Sequence, residues 1–205
     1  MKVVVIGLPQ AGKKTLFELL ARRALSPAEL SFQKPVVGIA EIRDPRFDRL
    51  AALYRPEKTA RARIEIELLP ALNREDLAKG TAFKRIADAD AICHVVRDFE
   101  DDTVYHVDGS PDACRDVGAV NAELILHDLV FAETRLERID HALKKKADDS
   151  ALREKALIEK IKAHLEGERP LRTLPLTPEE RKTISGYPFI TRSEEHTSEL
   201  QSRQS

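Results

Sequence analysis

The stretch Lys2-Val-Val-Val-Ile-Gly7-Leu-Pro-Gln10-Ala-Gly12-Lys13-Lys14-Thr15-Leu-Phe-Glu-Leu-Leu20 decides the fold. Lys2 to Ile6 is a short β-branched run and predicts a buried strand. Gly7 to Thr15 is a glycine-containing loop, and Leu16, Phe17, Leu19 and Leu20 give the next segment the apolar face of a helix. Strand, loop and helix in that order are what a phosphate-binding loop requires. Gly7 to Lys13 fits the first seven positions of G-x-x-x-x-G-K-[ST]. In such a loop the glycines let the backbone curl so that successive N–H groups point at one phosphate, and the helix adds its N-terminal N–H groups and dipole. Lys13 is expected to reach the β- and γ-phosphates. A chance glycine-containing turn is the plain alternative, and the flanking strand and helix argue against it. Gly7, Gln10, Ala11, Gly12, Lys13, Lys14 and Thr15 are therefore the candidate nucleotide-binding residues, acting mostly through backbone. No catalytic residue and no metal ligand is assigned.

The eighth position of the motif should be Ser or Thr, whose hydroxyl binds Mg²⁺, and here it is Lys14. An ammonium has no lone pair for a metal. Thr15 carries a hydroxyl but lies one residue on, roughly 100° round the helix. Two readings of Lys14 stand side by side. Its charge supplies part of what the metal would supply, or it points to solvent.

The chain has 205 residues, 42% hydrophobic and 34% charged, which suits one domain, or a domain plus an insert, with a real core. With 34 Lys and Arg against 35 Asp and Glu, the net charge is −1, which argues against a broad basic surface for nucleic acid or membrane. Two cysteines, Cys93 and Cys114, make neither a disulfide framework nor a metal-ligand spacing. No apolar run approaches the roughly 18 residues of a membrane span, and none resembles a signal peptide. A cytoplasmic location is expected.

Farther along, Val36 to Ile42 reads as a strand and Arg46 to Tyr54 as a helix with Phe47, Leu50 and Leu53 on one face. Arg63 to Leu69 alternates Ile64, Ile66 and Leu68 against Glu65 and Glu67, as a half-exposed strand does. Asn73 to Ala87 reads as mostly helical, Ala91 to Val96 as an apolar strand, and Glu100 to Asp116 as an acidic loop. From Val117 to Gly167 there is no proline. Leu129, Ala132, Leu136, Ile139 and Leu143 recur at spacings of three and four. Glu154, Ile158, Ile161 and Leu165 resume them after the polar turn Lys144 to Ser150. This predicts an antiparallel helical hairpin, either a short coiled coil or an ordinary pair of covering helices. Thr177-Pro178-Glu179-Glu180 predicts a capping box, and Pro188 to Thr191 the start of a further strand. His94 is read as a core or edge histidine. His106, near Asp101, Asp102 and Asp108, matches no ligand spacing and is read with solvated loop acids. Lys144 to Lys146 are read as a solvated tip, with contact to RNA phosphate as the alternative.

From Arg192 the pattern changes to Arg-Ser-Glu-Glu-His-Thr-Ser-Glu-Leu-Gln-Ser-Arg-Gln-Ser, from which no helix or strand face can be built. It is either a disordered polar terminus or a non-native tail. The second is favoured, because Arg192 to Ser202 resembles an in-frame translation of a sequencing adapter. Setting aside its two arginines and three glutamates takes 34 and 35 to 32 and 32, a neutral body.

On these residues the chain resembles the YchF subfamily of Obg-related P-loop GTPases, the Obg-like ATPases. The matching segments are Lys2 to Leu20, Gly38-Ile-Ala-Glu-Ile-Arg-Asp-Pro-Arg-Phe-Asp-Arg-Leu50, Ala89-Asp-Ala-Ile-Cys-His-Val-Val-Arg97 with Phe99 to Asp102, and Asn121 to Leu126 with the helices after it. The resemblance covers essentially Met1 to Thr191. It implies an α/β fold: a doubly wound P-loop NTPase domain with an inserted antiparallel helical hairpin, followed in the family by a TGS domain. The expected division is 1–116 with 170–191 as the nucleotide domain, incomplete at its C-terminus, 117–169 as the hairpin, and 192–205 as the tail. It also implies a purine nucleotide, GTP or ATP, as cofactor, and association with the ribosome as a partner by family analogy.

The departures from the family are as informative. The family's Mg²⁺- and γ-phosphate-sensing threonine falls at or near Phe32, with Ser31 the nearest hydroxyl. Its Asp-x-x-Gly turn falls on Leu68-Leu69-Pro70-Ala71, so the aspartate is replaced by Leu68 and the glycine by Ala71. Leu72 matches the hydrophobic residue that the family has in place of a catalytic glutamine. Lys14, Phe32 and Leu68 are three changes that serve one ion, and they read as loss of Mg²⁺-dependent hydrolysis. The expected function is thus a nucleotide-binding protein with weak or absent hydrolysis. The alternatives are an active Mg²⁺-dependent ATPase or GTPase, and a non-enzymatic interaction module.

Overall fold

The structure, a computed structural model, describes residues 1–30, 34–70, 81–101, 103–104, 106, 109–145 and 148–192. Strands β1 (Lys2–Ile6), β2 (Val36–Glu41), β3 (Arg63–Leu68) and β4 (Ala91–His94) form one sheet in the order β2-β3-β1-β4. β1 runs parallel to β3 and β4, and β2 runs antiparallel to β3. Helices α1 (Lys13–Ala21), α2 (Pro27–Leu30), α3 (Pro45–Tyr54), α4 (Thr81–Ala87), α5 (Ala113–Lys145), α6 (Asp149–Glu166) and α7 (Pro178–Thr183) surround it, with a 3₁₀ turn at Leu171–Thr173. Among the described residues no helix is long and apolar enough to cross a membrane.

The β-branched run of β1 is apolar throughout because both faces of the sheet are covered. Val5 packs with Phe17, Val36, Ile66 and Leu68 under α1. Val4 and Ile6 pack on the other side with Phe83 and Ile86 of α4, Ile92, and Val120 and Leu124 of α5. The chain is therefore a mixed α/β sheet with helices on both faces, as the resemblance implies. Gly38 of β2 sits where α1 comes closest, and a Cβ there would lie 2.7 Å from Phe17 Cζ. Gly38→Ala is expected to destabilise by about 1–3 kcal/mol through overpacking, read as a lower urea midpoint. An unchanged midpoint would mean that Phe17 yields freely.

The half-exposed reading of β3 needs correction. Its last three residues, Ile66, Glu67 and Leu68, are all buried. Glu65, on the same face as Glu67, stays exposed, so the polar face is covered only toward the end of the strand. Glu67 is accommodated there by Lys2 Nζ at 2.6 Å and Arg85 Nη1 at 2.7 Å. These two cations hold its carboxyl below the usual range although burial opposes them. Helix α3 departs from its pattern in the other direction. Leu50 and Leu53 are exposed, and the helix begins through Asp44, which accepts from the Arg46 N–H, and Pro45.

Helix α5 starts four residues earlier than its periodicity indicates, because Asp112 accepts from the Arg115 N–H after the Ser110-Pro111 turn. Asp116 thus lies in a helical first turn, not in the acidic loop. Ala132 and Ile139 of α5 meet Ile158, Ile161 and Leu165 of α6 in one apolar cluster, flanked by Leu129, Leu136 and Leu143. Arg135–Glu154, Asp140–Lys155 and Glu133–Lys162 pair across the two helices. Such partly exposed pairs set register more than they stabilise. The expected capping box of α7 forms through Thr177 and Glu180.

No further strand forms at Pro188 to Thr191 among the described residues. The backbone N–H groups of Ile190 and Thr191 both donate to the buried carboxylate of Asp128 on α5, at 2.8 Å each. The Thr191 hydroxyl donates to Asp128 at 2.7 Å and accepts from the Leu171 N–H at 2.9 Å. Leu171, Ile184 and Phe189 pack with α5 and α6 rather than with the sheet. Arg192 donates to the carbonyls of Ile184 and Ser185. The rest of the expected tail, 193–205, lies outside the described residues.

Candidate functional site

The loop between β1 and α1 is shaped by close approach and by left-handed backbone. Gly7 has φ +150°, and a Cβ there would lie 2.3 Å from the Val95 carbonyl oxygen. Only glycine fits where the chain leaves β1 against the continuation of β4, itself tied back by Val95 N–H to Ile6 O at 2.9 Å. Gln10 (φ 61°) and Gly12 (φ 93°) complete the curl. Gly12 is the residue before α1. No side chain caps it, and no acid stands in the first turn. The N–H groups of a helix's first turn have no partner within the helix. Here neither a capping side chain nor a carboxylate competes for them, which leaves an anion-directed end. Ala11 is buried, while Gln10 and Thr15 are exposed.

Lys13 is buried, and its ammonium donates to the carbonyls of Gly7 and Leu8, both at 2.7 Å. Burial, with a smaller contribution from the neighbouring Lys14 charge, lowers its pKa to about 8. Lys14 is exposed, in line with the second reading, and its ammonium is paired within the chain. Its Nζ donates to the carbonyl of Leu30, at the end of α2 in the connection to β2.

Leu68, expected at the aspartate of the Asp-x-x-Gly turn, is fully buried in the sheet. Ser31, Phe32, Ala71 and Leu72 lie outside the described residues, as do Asp102, Asp108 and Lys146.

A flank of the site escaped sequence reasoning. His94 at the end of β4 pairs in register with Ile6, the residue before the loop. Its Nε2 is buried and has no hydrogen-bond partner among the described residues. Burial and the Lys13 charge push its pKa down to about 4, against a smaller opposing effect of Asp116. His106 is not a solvated loop residue. It is buried, and Nε2 lies 2.9 Å from Asp116 Oδ2, while Arg115 binds the other carboxylate oxygen at 3.0 Å. Leu8, Ala11, His94, Arg97, His106 and Asp116 line a tight recess beside the loop. Arg97 is buried and donates to the carbonyls of Phe99, Asp101 and Val104, with its guanidinium over the Phe99 ring. It thereby folds the loop that carries His106. The signal for this flank was the strand pairing of β4 with β1, together with a helix start at Asp112. Neither can be seen while each histidine is weighed alone.

No family model matches the chain. The ribosome-binding ATPase YchF of Bacillus subtilis (strain 168) is 34% identical over 193 residues, which cover 91% of this chain and 52% of that protein. The protein of the same name from Pasteurella multocida is 35% identical over 196 residues, 93% of this chain and 54% of its own length. Obg-like ATPase 1 of Oryza sativa subsp. japonica is 36% identical over 180 residues, 84% of this chain and 45% of the other. The solved structure of the Schizosaccharomyces pombe YchF GTPase superposes with a TM-score of 0.72 at 26% identity, over 93% of this chain and 54% of that one. The chain spans about half the length of the curated relatives it matches.

Proposed function

The chain belongs to the YchF family of Obg-like ATPases over the half of those proteins that it spans, and from that premise we propose that it binds a purine nucleotide, GTP or ATP, weakly and hydrolyses it slowly or not at all. The observation that carries this reading is the loop itself. Gly7, Gln10, Ala11 and Gly12 shape a backbone cradle ahead of a helix end that lacks any acid, and Lys13 sets a cation against the loop. A polyphosphate is the ligand that this charge and these donors suit. Lys13 must leave the Gly7 and Leu8 carbonyls to reach a phosphate, which opposes binding and favours weak affinity.

The fold family implies Mg²⁺, and the side chains present do not fit it. An ammonium stands at the motif's hydroxyl position and is committed to Leu30, and a buried leucine stands at the aspartate position. Phosphoryl transfer without such a metal loses its main means of neutralising developing charge. The reading therefore has the nucleotide held and not efficiently turned over.

The test is a titration with fluorescent GTP and ATP analogues, with and without Mg²⁺, beside a steady-state hydrolysis assay. We expect affinities that change less than about threefold with Mg²⁺, and turnover no greater than for Lys13→Ala. Tightening by Mg²⁺ of about a hundredfold, with turnover abolished by Lys13→Ala, would establish the active-enzyme alternative. Ribosome association is proposed only from the relatives' name, ribosome-binding ATPase. Cosedimentation that depends on α5 and α6 but survives Lys13→Ala would favour the interaction-module alternative.

A further inference from the structure

In P-loop switches, the connection after the first helix is ordered by γ-phosphate and Mg²⁺ contacts and released when they go. In this chain residues 23–30, the described first part of that connection, are held by their own side chains and by α1. Leu25 N–H donates to Glu18 on α1 at 2.7 Å. Arg23 grips Glu29 through both terminal nitrogens, at 3.0 and 2.9 Å, and also donates to the Val37 carbonyl of β2 at 3.3 Å. Ser26 donates to Glu29 through backbone and hydroxyl. Lys14 closes the arrangement by donating to Leu30 O, which joins the first turn of α1 directly to the end of α2.

We propose that Lys14 is a positioning residue that clasps residues 24–30, the described first part of the α1–β2 connection, to the first turn of α1, so that their order depends on neither a metal ion nor a γ-phosphate. The ammonium sits at the motif position whose hydroxyl would bind the metal, and it reaches the same connection that the metal would order. A charge-assisted bond to a carbonyl replaces a bridge through an ion. This deepens the functional reading above, because it explains how the loop keeps its shape where metal donors are lacking.

The experiment is amide hydrogen exchange of the full chain, following residues 24–30 in nucleotide-free protein, with Mg²⁺ alone, and with Mg²⁺ plus GDP, ATP or GTP. For the wild type we expect the same protection under every condition. Lys14→Met, which keeps the stem and loses the donor, is expected to speed exchange in 24–30 by about fivefold, as loss of one such bond would. The amides of β1 and β3 should stay within about twofold of wild type, which reports that the fold is intact. Lys14→Arg retains a donor and should restore protection. Unchanged exchange in Lys14→Met, or wild-type protection that rises when Mg²⁺ and GTP are added, would overturn the clasp. The nucleotide-free comparison separates the two proposals. If no nucleotide binds, the functional reading fails while the exchange difference between wild type and Lys14→Met still decides the clasp.

Discussion

Asp128→Ala is expected to lower the unfolding free energy by about 3–5 kcal/mol, since it strands buried donors. The carboxylate is fully buried and accepts the N–H groups of Ile190 and Thr191 and the hydroxyl of Thr191. Ile190 and Thr191 are themselves buried, so water cannot replace the lost acceptor without opening the packing around Phe189. Asp128→Asn retains one acceptor oxygen but turns an NH₂ toward another donor, and should lose about half as much. Thr191→Val removes the hydroxyl that links Asp128 to the Leu171 N–H, and should cost about 1–3 kcal/mol. Because these groups share one network, Asp128→Ala with Thr191→Val should cost less than the two singles together. Urea unfolding followed by far-ultraviolet circular dichroism measures all four variants. An Asp128→Ala protein within about 1 kcal/mol of wild type would mean that Phe189 and Ile190 hold this segment by apolar burial alone.

That network also marks the limit of reading this sequence unaided. Period-2 and period-3.6 patterns place β1, α1, β4 and the apolar seam between α5 and α6, because each element buries a face of its own residues. The same patterns fail where burial is decided by a neighbour. Glu67 reads as solvent-facing, yet Lys2 and Arg85 come from two other elements to cover it. Leu50 and Leu53 read as a core face, and no described element covers them. Asp128 lies within a helical pattern and gives no hint that residues 62 and 63 positions later end on its carboxylate. The candidate site divides in the same way. The loop from Gly7 to Lys13 was legible, since its chemistry is local and its spacing fixed. The bond from Lys14 to Leu30 and the pairing of His106 with Asp116 were not, because each closes an irregular connection, over 16 and 10 residues, to which no periodicity applies.

Nucleotide affinity should fall with rising pH because of Lys13, and Lys13→Ala should weaken it by about a hundredfold, as truncating a desolvated charge partner does. The sign follows from the environment of the ammonium. In the protein alone, burial and the Lys14 charge hold its pKa at about 8, below the ordinary lysine value. A polyphosphate beside it favours the protonated form and raises that pKa, so the complex binds more protons than the free protein above pH 8. Affinity is then flat below about pH 8, and declines by up to about tenfold per pH unit above it until the pKa of the complex is reached. His94 does not blur this window, since its pKa of about 4 leaves it neutral throughout. On the proposed reading Gly7, Gln10, Ala11 and Gly12 act through backbone and add no titrating group to the loop. Fluorescent-nucleotide titrations between about pH 6.5 and 9.5 would measure the slope, and Lys13→Ala should remove it along with the affinity. A wild-type affinity that is flat to pH 9.5 would place Lys13 away from the phosphates. The Gly7 and Leu8 carbonyls would then be its permanent partners, and the ammonium would be a strut inside the loop instead of a ligand-binding group.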